Sequence, residues 1–417
     1  MTAFHYQSGQ LHCDGVPISR MVGEVGTPFY VYSAARVRNN LRRLTSAFAP
    51  LRPRICYSIK ANSNLAILRL LNEEGAGFDI VSGGELYRAL TAGVDPAQIV
   101  FAGVGKTRAE LEFGVEAGVA WFNVESAGEV ERLNEVAGAQ GRTANVALRL
   151  RPGVEADTHR HIATGGASSK FGMRPAEGLE LIRRASDFPH LRLRAVHIHI
   201  GSQLADASAT LAALDTVLDF ISAVETFRQN VSTLNLGGGF PIPYREDQAI
   251  PSIENFAAPI ISRLQSTASH LQFIIEPGRY LVADAGALVL KVEHVKEVDG
   301  ERVVVMNGGM NALLRPALYD AYHRVVPLAA APTSDISPLT SVVGPICESA
   351  DVLARGRSLP PLAPGDSLAL LDAGAYGFTM ASNYNSHPRP AEVLVEGDSF
   401  QIIRRHETYA DLTAAET

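Results

Sequence analysis

The chain has 417 residues, 46% hydrophobic and 19% charged, a balance that excludes disordered and fibrous classes and is ample for a sizeable core. Its 37 basic and 44 acidic residues leave a net charge of −7 with no basic run to neutralise a stretch of phosphates, which argues against nucleic-acid binding. No apolar run approaches the roughly 20 residues of a membrane span, no basic region followed by an apolar stretch marks a secretory leader, and Cys13, Cys56 and Cys347 are too few and scattered for a disulfide framework. The expectation is a cytoplasmic protein that does not engage a membrane.

In chain order, eight short runs rich in β-branched and aromatic residues occur at 55–60, 78–82, 99–103, 121–125, 145–151, 195–201, 233–238 and 272–276. Helical patterns separate them. Leu65, Leu68, Leu70 and Leu71 give residues 64–74 an apolar face, and residues 85–92 read similarly. Eight strand and helix units predict an α/β fold, a closed parallel (β/α)8 barrel over residues 28–280, with chemistry at the C-terminal strand ends. After Tyr280 the pattern changes to runs at 287–295, 302–306, 367–372 and 392–395, with turns at Asp299-Gly300 and Pro364-Gly365-Asp366. Residues 281–417 are therefore expected to form an all-β domain, completed by residues 1–27 through a strand at Leu11-His12-Cys13. Residues 329–341 read as an exposed loop.

The strand ends carry the chemistry-bearing side chains. Lys60 closes the first run, where desolvation would make its amine a nucleophile, although most lysines are simply solvated. Asp79 closes the second and could face Lys60, or merely cap a turn. His197 and His199 lie two apart on one strand and share a face, suited to a metal or to a flat cofactor, with a structural pair as the plain alternative. His159 and His161 have the same spacing, but in a loop. Gly237, Gly238 and Gly239 follow the seventh run and Gly201-Ser202 the sixth, bare backbone and a hydroxyl where barrels commonly hold a phosphate. Glu276-Pro277-Gly278-Arg279 ends the eighth with an acid and a base. Pyridoxal phosphate answers all these features: an aldehyde for Lys60, a phosphate for the glycines, a flat ring for His199 and a ring nitrogen for Glu276.

These motifs, in order and along nearly the whole chain, resemble the barrel-type pyridoxal-phosphate decarboxylases. The resemblance rests on Tyr57-Ser58-Ile59-Lys60-Ala61-Asn62, Asp79-Ile80-Val81-Ser82-Gly83-Gly84-Glu85, His199-Ile200-Gly201-Ser202-Gln203, Gly237-Gly238-Gly239-Phe240 and Glu276-Pro277-Gly278-Arg279. Arg315-Pro316-Ala317-Leu318-Tyr319, Gly344-Pro345-Ile346-Cys347-Glu348-Ser349 and Gly374-Ala375-Tyr376 complete it. It implies that Lys60 holds pyridoxal phosphate as a Schiff base beside Asp79, that His199 stacks on the ring, and that Glu276 meets the ring nitrogen. Ser202, Gly239 and Gly278 would cradle the phosphate, with Tyr376 closing over it and Gly237, Gly238 and Arg279 among the cofactor contacts.

The resemblance further implies a homodimer with shared active sites, Cys347 and Glu348 reaching the partner's site and Cys347 donating a proton. Arg279, Arg315 and Tyr319 would hold a distal carboxylate, Glu348 a distal ammonium and Tyr376 the substrate alongside them, so the expected substrate is an amino acid with a second amino-acid head. A related decarboxylase acting on ornithine, D-lysine, carboxynorspermidine or a carrier-bound glutamyl group is the nearest rival, and a metal-dependent barrel hydrolase built on the histidine pairs a more distant one. His387 stands where many members carry arginine or glutamine. Lys170 is a rival to Lys60, but sits in a loop.

Overall fold

The computed structural model describes residues 2–154, 169–268, 270–330 and 339–417. The chain divides into two compact units, one of Leu41–Pro241 and Ala249–Gly278, the other of Met1–Asn40, Ile242–Gln248 and Arg279–Thr417.

The first unit is a closed barrel of eight parallel strands: Arg54–Ser58, Gly77–Ile80, Ile99–Phe101, Trp121–Val124, Ala144–Arg149, Leu191–His197, Thr233–Asn235 and Gln272–Ile275, with the eighth pairing back to the first. All eight expected strands are present. Their near-continuous apolar character follows from burial on both faces, as in Ile99–Phe101, which is buried throughout. Phe101 and Phe122 stack at 6.0 Å between ring centres, and truncating either to Ala would cost about 3–5 kcal/mol.

Helices begin where the sequence supplies a cap. The Asn64 side chain accepts from Ala66 N to open Leu65–Glu73, whose Ile67, Leu68, Leu70 and Leu71 are buried. Ser82 accepts from Glu85 N to open Gly83–Thr91, and Thr107 with Glu110 forms a reciprocal capping box before Arg108–Ala117.

The observed strands stop one to four residues before the expected ends. Lys60 therefore lies in a single 3-10 turn, Ile59–Ala61, and His199 lies two residues past the sixth strand, so the two histidines are not on one strand as expected. Asp79 lies inside the second strand, not at its end.

In the second unit the 13-residue strand Gly286–Val298 organises a mostly β assembly. It pairs antiparallel with Phe29–Ser33, Glu301–Met306 and Ser367–Leu370; Ala391–Glu396 joins beside Phe29–Ser33, and Thr340–Val343 beside Glu301–Met306. The expected turn at Asp299-Gly300 has φ of +50° and +80°, the paired left-handed geometry of a tight hairpin.

Three expectations are corrected here. Leu11-His12-Cys13 does not enter this sheet; it lies in Gln10–Cys13, which forms a separate three-stranded sheet with Phe4–Gln7 and Val16–Pro17. The strand that does enter, Phe29–Ser33, lies within the range expected to be barrel, because a strand buried on both faces reads alike in either setting. The unit is also not all β, since Ile18–Val25 is a helix whose Ile18 and Met21 pack with Phe29, Val31, Val289 and Val393. Of the expected loop at 329–341, Thr340 and Ser341 begin a strand, and 331–338 lie outside the described residues.

Candidate active site

At the barrel mouth the first two strands bring together a lysine and a carboxylate. Ser58 Oγ donates to Asp79 Oδ2 at 2.7 Å and Lys60 Nζ donates to the same oxygen at 3.1 Å. The Asp79 side chain is fully buried while that of Lys60 is 37% exposed, so the amine presents itself from a buried base. Burial drives the Asp79 carboxyl up from its usual range, with Lys60 opposing and Glu276 reinforcing the rise.

Glu276, immediately after the eighth strand, is held in the opposite condition. Burial would raise its pKa, but His197 Nε2 at 3.2 Å from Oε2, together with the charge of Lys60 and a hydrogen bond from Asn235, holds it well below the carboxylate range. Asn123 Nδ2 at 3.1 Å and Asn235 Nδ2 at 2.5 Å both donate to Oε1. A buried carboxylate with three side-chain partners remains an anion. Glu85, half-buried beyond the second strand, is pushed up to about 7 by burial, against a hydrogen bond from Val81 N at 2.8 Å.

Gly237 and Gly239 have φ of +67° and +107°, which side-chain-bearing residues rarely adopt. A Cβ at Gly237 or Gly238 would overlap the carbonyl oxygens of Ile198 and Glu276 respectively, so the glycines let backbone pass directly beside the acid. Gly238 N donates to His199 Nδ1 at 3.1 Å, fixing that ring nitrogen as an acceptor. Burial, then the cations Lys60 and Arg149, push His199 well below its ordinary pKa, so the imidazole is neutral. Ser202 lies in the bend after the sixth strand, and Gly278 closes the barrel unit.

The second unit gathers cations over aromatic rings. Arg279 opens the helix Arg279–Val282; its Nη1 donates to Tyr244 Oη at 2.7 Å, and its guanidinium lies 5.0 Å from the Tyr376 ring centre. Arg315 opens the five-residue helix Arg315–Tyr319, which places Tyr319 at the i+4 position on the same face. The Arg315 guanidinium lies 4.9 Å from the Tyr244 ring centre and donates from Nη1 to His323 Nε2 at 3.0 Å. Both arginines are buried. Tyr376 itself holds φ +56°.

Cys347 and Glu348 are exposed on the same unit, in the segment after Thr340–Val343. Asp351 pins that segment: Oδ1 accepts from Met310 N at 2.6 Å and Oδ2 from Ile346 N at 2.7 Å, and Gly309 and Gly344 leave no room for a side chain against it. Asn385 Nδ2 lies 3.1 Å from Cys347 Sγ, and Tyr384 Oη donates to Glu348.

The barrel thus brings together Lys60, Asp79, His199, Gly237, Gly238, Gly239 and Glu276, and the second unit brings together Arg279, Arg315 and Tyr376. Lys170 is exposed, beside the Phe171 ring at 5.2 Å, and has no buried acid partner among the described residues, whereas Lys60 has Asp79. His159 and His161 lie outside the described residues. Sequence reasoning missed Ser58, Asn123, Asn235 and Glu85 in the barrel, and Tyr244, His323 and Asp351 in the second unit. Asn123 left a usable signal, a single amide within an otherwise apolar strand.

The barrel residues fit pyridoxal phosphate. Asp79 Oδ1 and His197 Nδ1 are buried with no hydrogen-bond partner among the described residues. A lysine amine on a buried acid, an ionised carboxylate for a ring nitrogen and side-chain-free glycines beside a neutral imidazole form a donor set of the right chemistry. Among the described residues no group of three or more His, Cys, Asp or Glu is placed to hold a metal ion, and no helix is long and apolar enough to cross a membrane.

Residues 34–283 match the family model described as pyridoxal-dependent decarboxylase, pyridoxal binding domain. The chain is 44% identical over 407 residues to the diaminopimelate decarboxylase of Neisseria meningitidis serogroup A, covering 97% of this chain and 98% of that one. It is 43% identical over 417 residues to the enzyme of the same name from Pseudomonas aeruginosa, covering 100% and 99%. The structure of diaminopimelate decarboxylase from M. jannaschii in complex with L-lysine superposes with a TM-score of 0.94 at 38% identity, covering 100% of this chain and 98% of the other. Barrel, cofactor chemistry and full-length likeness agree: the chain belongs to the diaminopimelate decarboxylases of the pyridoxal-dependent decarboxylase family.

Proposed function

We propose that this chain removes carbon dioxide from meso-2,6-diaminopimelate at its D-centre and leaves L-lysine, the closing step of lysine synthesis. The observation that carries the reading is Glu276, a buried carboxylate kept anionic by His197, Asn123 and Asn235 in the same barrel mouth as the Lys60–Asp79 pair. When bound, pyridoxal phosphate supplies an aldehyde for an amine and a protonated ring that accepts the electron pair left as a Cα–carboxylate bond breaks.

Lys60 would hold the cofactor through its aldehyde. Asp79, its pKa raised by burial, takes and returns the amine proton at Oδ2. Glu276, kept anionic, would hold a proton at the ring nitrogen, which an ionised carboxylate does and a protonated one does not. His199 would supply a neutral flat face, and Ser202, Gly237, Gly238, Gly239 and Gly278 would supply the hydroxyl and backbone for the phosphate.

The second unit selects the substrate. Arg279, Arg315 and Tyr319 bind the distal carboxylate and Glu348 the distal ammonium, while Tyr376 packs over the site. Cys347 gives the proton that replaces the lost carboxylate at Cα. A proton donor must work away from bulk water, yet Cys347 and Glu348 are exposed on their own chain, which supports a homodimer in which each chain lends them to its partner. Three free cysteines support a reducing, cytoplasmic setting.

A substrate panel tests the reading: carbon dioxide release by purified, cofactor-loaded protein from meso-diaminopimelate, ornithine, lysine and glutamate. Release from diaminopimelate alone is expected. Preference for ornithine or another acid without a distal amino-acid head would move the function to a sibling decarboxylase.

A further inference from the structure

His323 has no part in the chemistry above, yet it touches an arginine assigned to the substrate. Its two ring nitrogens face partners with fixed roles. Nδ1 lies 2.9 Å from the carbonyl oxygen of Leu371, which can only accept, and Nε2 lies 3.0 Å from Nη1 of Arg315, which can only donate. One tautomer satisfies both: Nδ1 carries the proton and Nε2 offers its lone pair. The side chain is fully buried, so water cannot replace either bond. A second proton would turn a donor toward a donor and set another cation beside the guanidinium. Burial first, and then Arg315, hold the ring down to about 3, which keeps it neutral through the working pH range.

Tyr244 supports the same guanidinium from another direction. Its ring centre is 4.9 Å from Arg315 Cζ and stands edge-on to His323 at 5.9 Å, while its hydroxyl accepts from Arg279. Arg315 is therefore held by His323 and by Tyr244, through both its ring and its hydroxyl, and its buried Nε has no hydrogen-bond partner among the described residues. A buried donor without an acceptor, on a residue 6% exposed, marks where an anionic group binds. Recognition of a carboxylate by paired N–H bonds demands a fixed guanidinium plane, and an anchor at Nη1 prevents rotation about the Cδ–Nε bond.

We infer that His323, backed by Tyr244, is a positioning residue that fixes the plane of Arg315 for the distal carboxylate and so sets the preference for a substrate with a second amino-acid head. The inference rests on the diaminopimelate reading. It extends specificity to a residue that does not itself touch the substrate.

The test measures calorimetric dissociation constants of cofactor-loaded enzyme for L-lysine, which retains the distal head, and for 1,5-diaminopentane, which has lost its carboxylate. His323→Phe removes both ring hydrogen bonds, and His323→Asn keeps only the donor facing Leu371. Each is expected to weaken L-lysine about tenfold or more while 1,5-diaminopentane changes by less than about threefold. His323→Gln, whose Oε1 replaces the Nε2 lone pair, is expected to restore the preference to within about threefold of wild type. Cofactor absorbance and Tm report folding, and either loss variant decides the matter if the other does not accumulate. An unchanged preference, or equal weakening of both ligands, overturns the positioning role. A wild type that does not distinguish the two ligands overturns the diaminopimelate reading, and this inference with it.

Discussion

The barrel mouth and the arginine cluster of the second unit both bury charge, and they do so by opposite means. The barrel surrounds acids with donors: Glu276 has His197, Asn123 and Asn235, and Asp79 has Ser58 and Lys60. The second unit lays cations on ring faces, with Arg279 over Tyr376 and Arg315 over Tyr244, and uses a neutral imidazole as a hydrogen-bond acceptor. The difference follows from the task. Chemistry at a cofactor needs each proton at a defined atom, which directional bonds between charged groups secure. Recognition of an anion needs N–H bonds left for the ligand, and a ring face stabilises a guanidinium without occupying them.

The contrast breaks most severely at Lys60. Lys60→Ala removes the amine proposed to hold the cofactor aldehyde, and turnover should fall by roughly three orders of magnitude or more, on the scale seen when a nucleophile is deleted. Full activity in a steady-state carbon dioxide assay would refute the assignment. Arg315→Ala should act on selectivity. Loss of one buried charged partner costs about 3–5 kcal/mol, so kcat/KM for diaminopimelate should drop roughly 150- to 5,000-fold, while a substrate lacking the distal carboxylate gains rate. An equal loss on both substrates would place Arg315 in the general chemistry and erase the division of labour.

A smaller effect is a pH dependence of opposite sign at Glu85 and at His323. Glu85 titrates near 7 in the folded barrel against an ordinary 4.5, so the unfolded chain releases its proton first and stability is lost as pH rises from about 4.5 to about 7. His323 titrates near 3 against 6.5, so the unfolded chain gains its proton first and stability is lost as pH falls from about 6.5 to about 3. Glu85→Gln should therefore flatten the alkaline limb of a Tm-against-pH curve by about 2–4 °C and leave the acid limb unchanged. Scanning calorimetry from pH 4 to 8 checks it, and an unaltered alkaline limb would contradict the assignment.

The eight barrel strands were legible because parallel strands buried on both faces form apolar runs of recognisable length. Their C-terminal limits were not, since the residues past each strand end, Lys60, His199 and Glu276 among them, adopt irregular backbone that leaves no periodic trace. Phe29–Ser33 was placed in the wrong unit for the same reason that the barrel strands were easy to find: all five of its residues are buried, and burial does not reveal which sheet provides it. Of the site, the motif-bearing positions were readable. Asn123 meets Glu276 across 153 residues of chain, and His323 meets Leu371 across 48, contacts that no local spacing announces. His323 is a lone histidine in an unremarkable segment, and only its two fixed-role partners distinguish it.

The proposed division of labour, in which Lys60 and Glu276 serve the centre that loses carbon dioxide and Arg279 and Arg315 serve the distal head, is tested most directly by isotopic labelling. Wild-type enzyme would be supplied with meso-diaminopimelate carrying ¹³C in either the D-centre or the L-centre carboxylate, and the released carbon dioxide analysed by mass spectrometry. Label appearing only from the D-centre, with L-lysine as product, is the predicted result. Label released from both centres, or a racemic product, would show that the distal head is not held and would contradict the account.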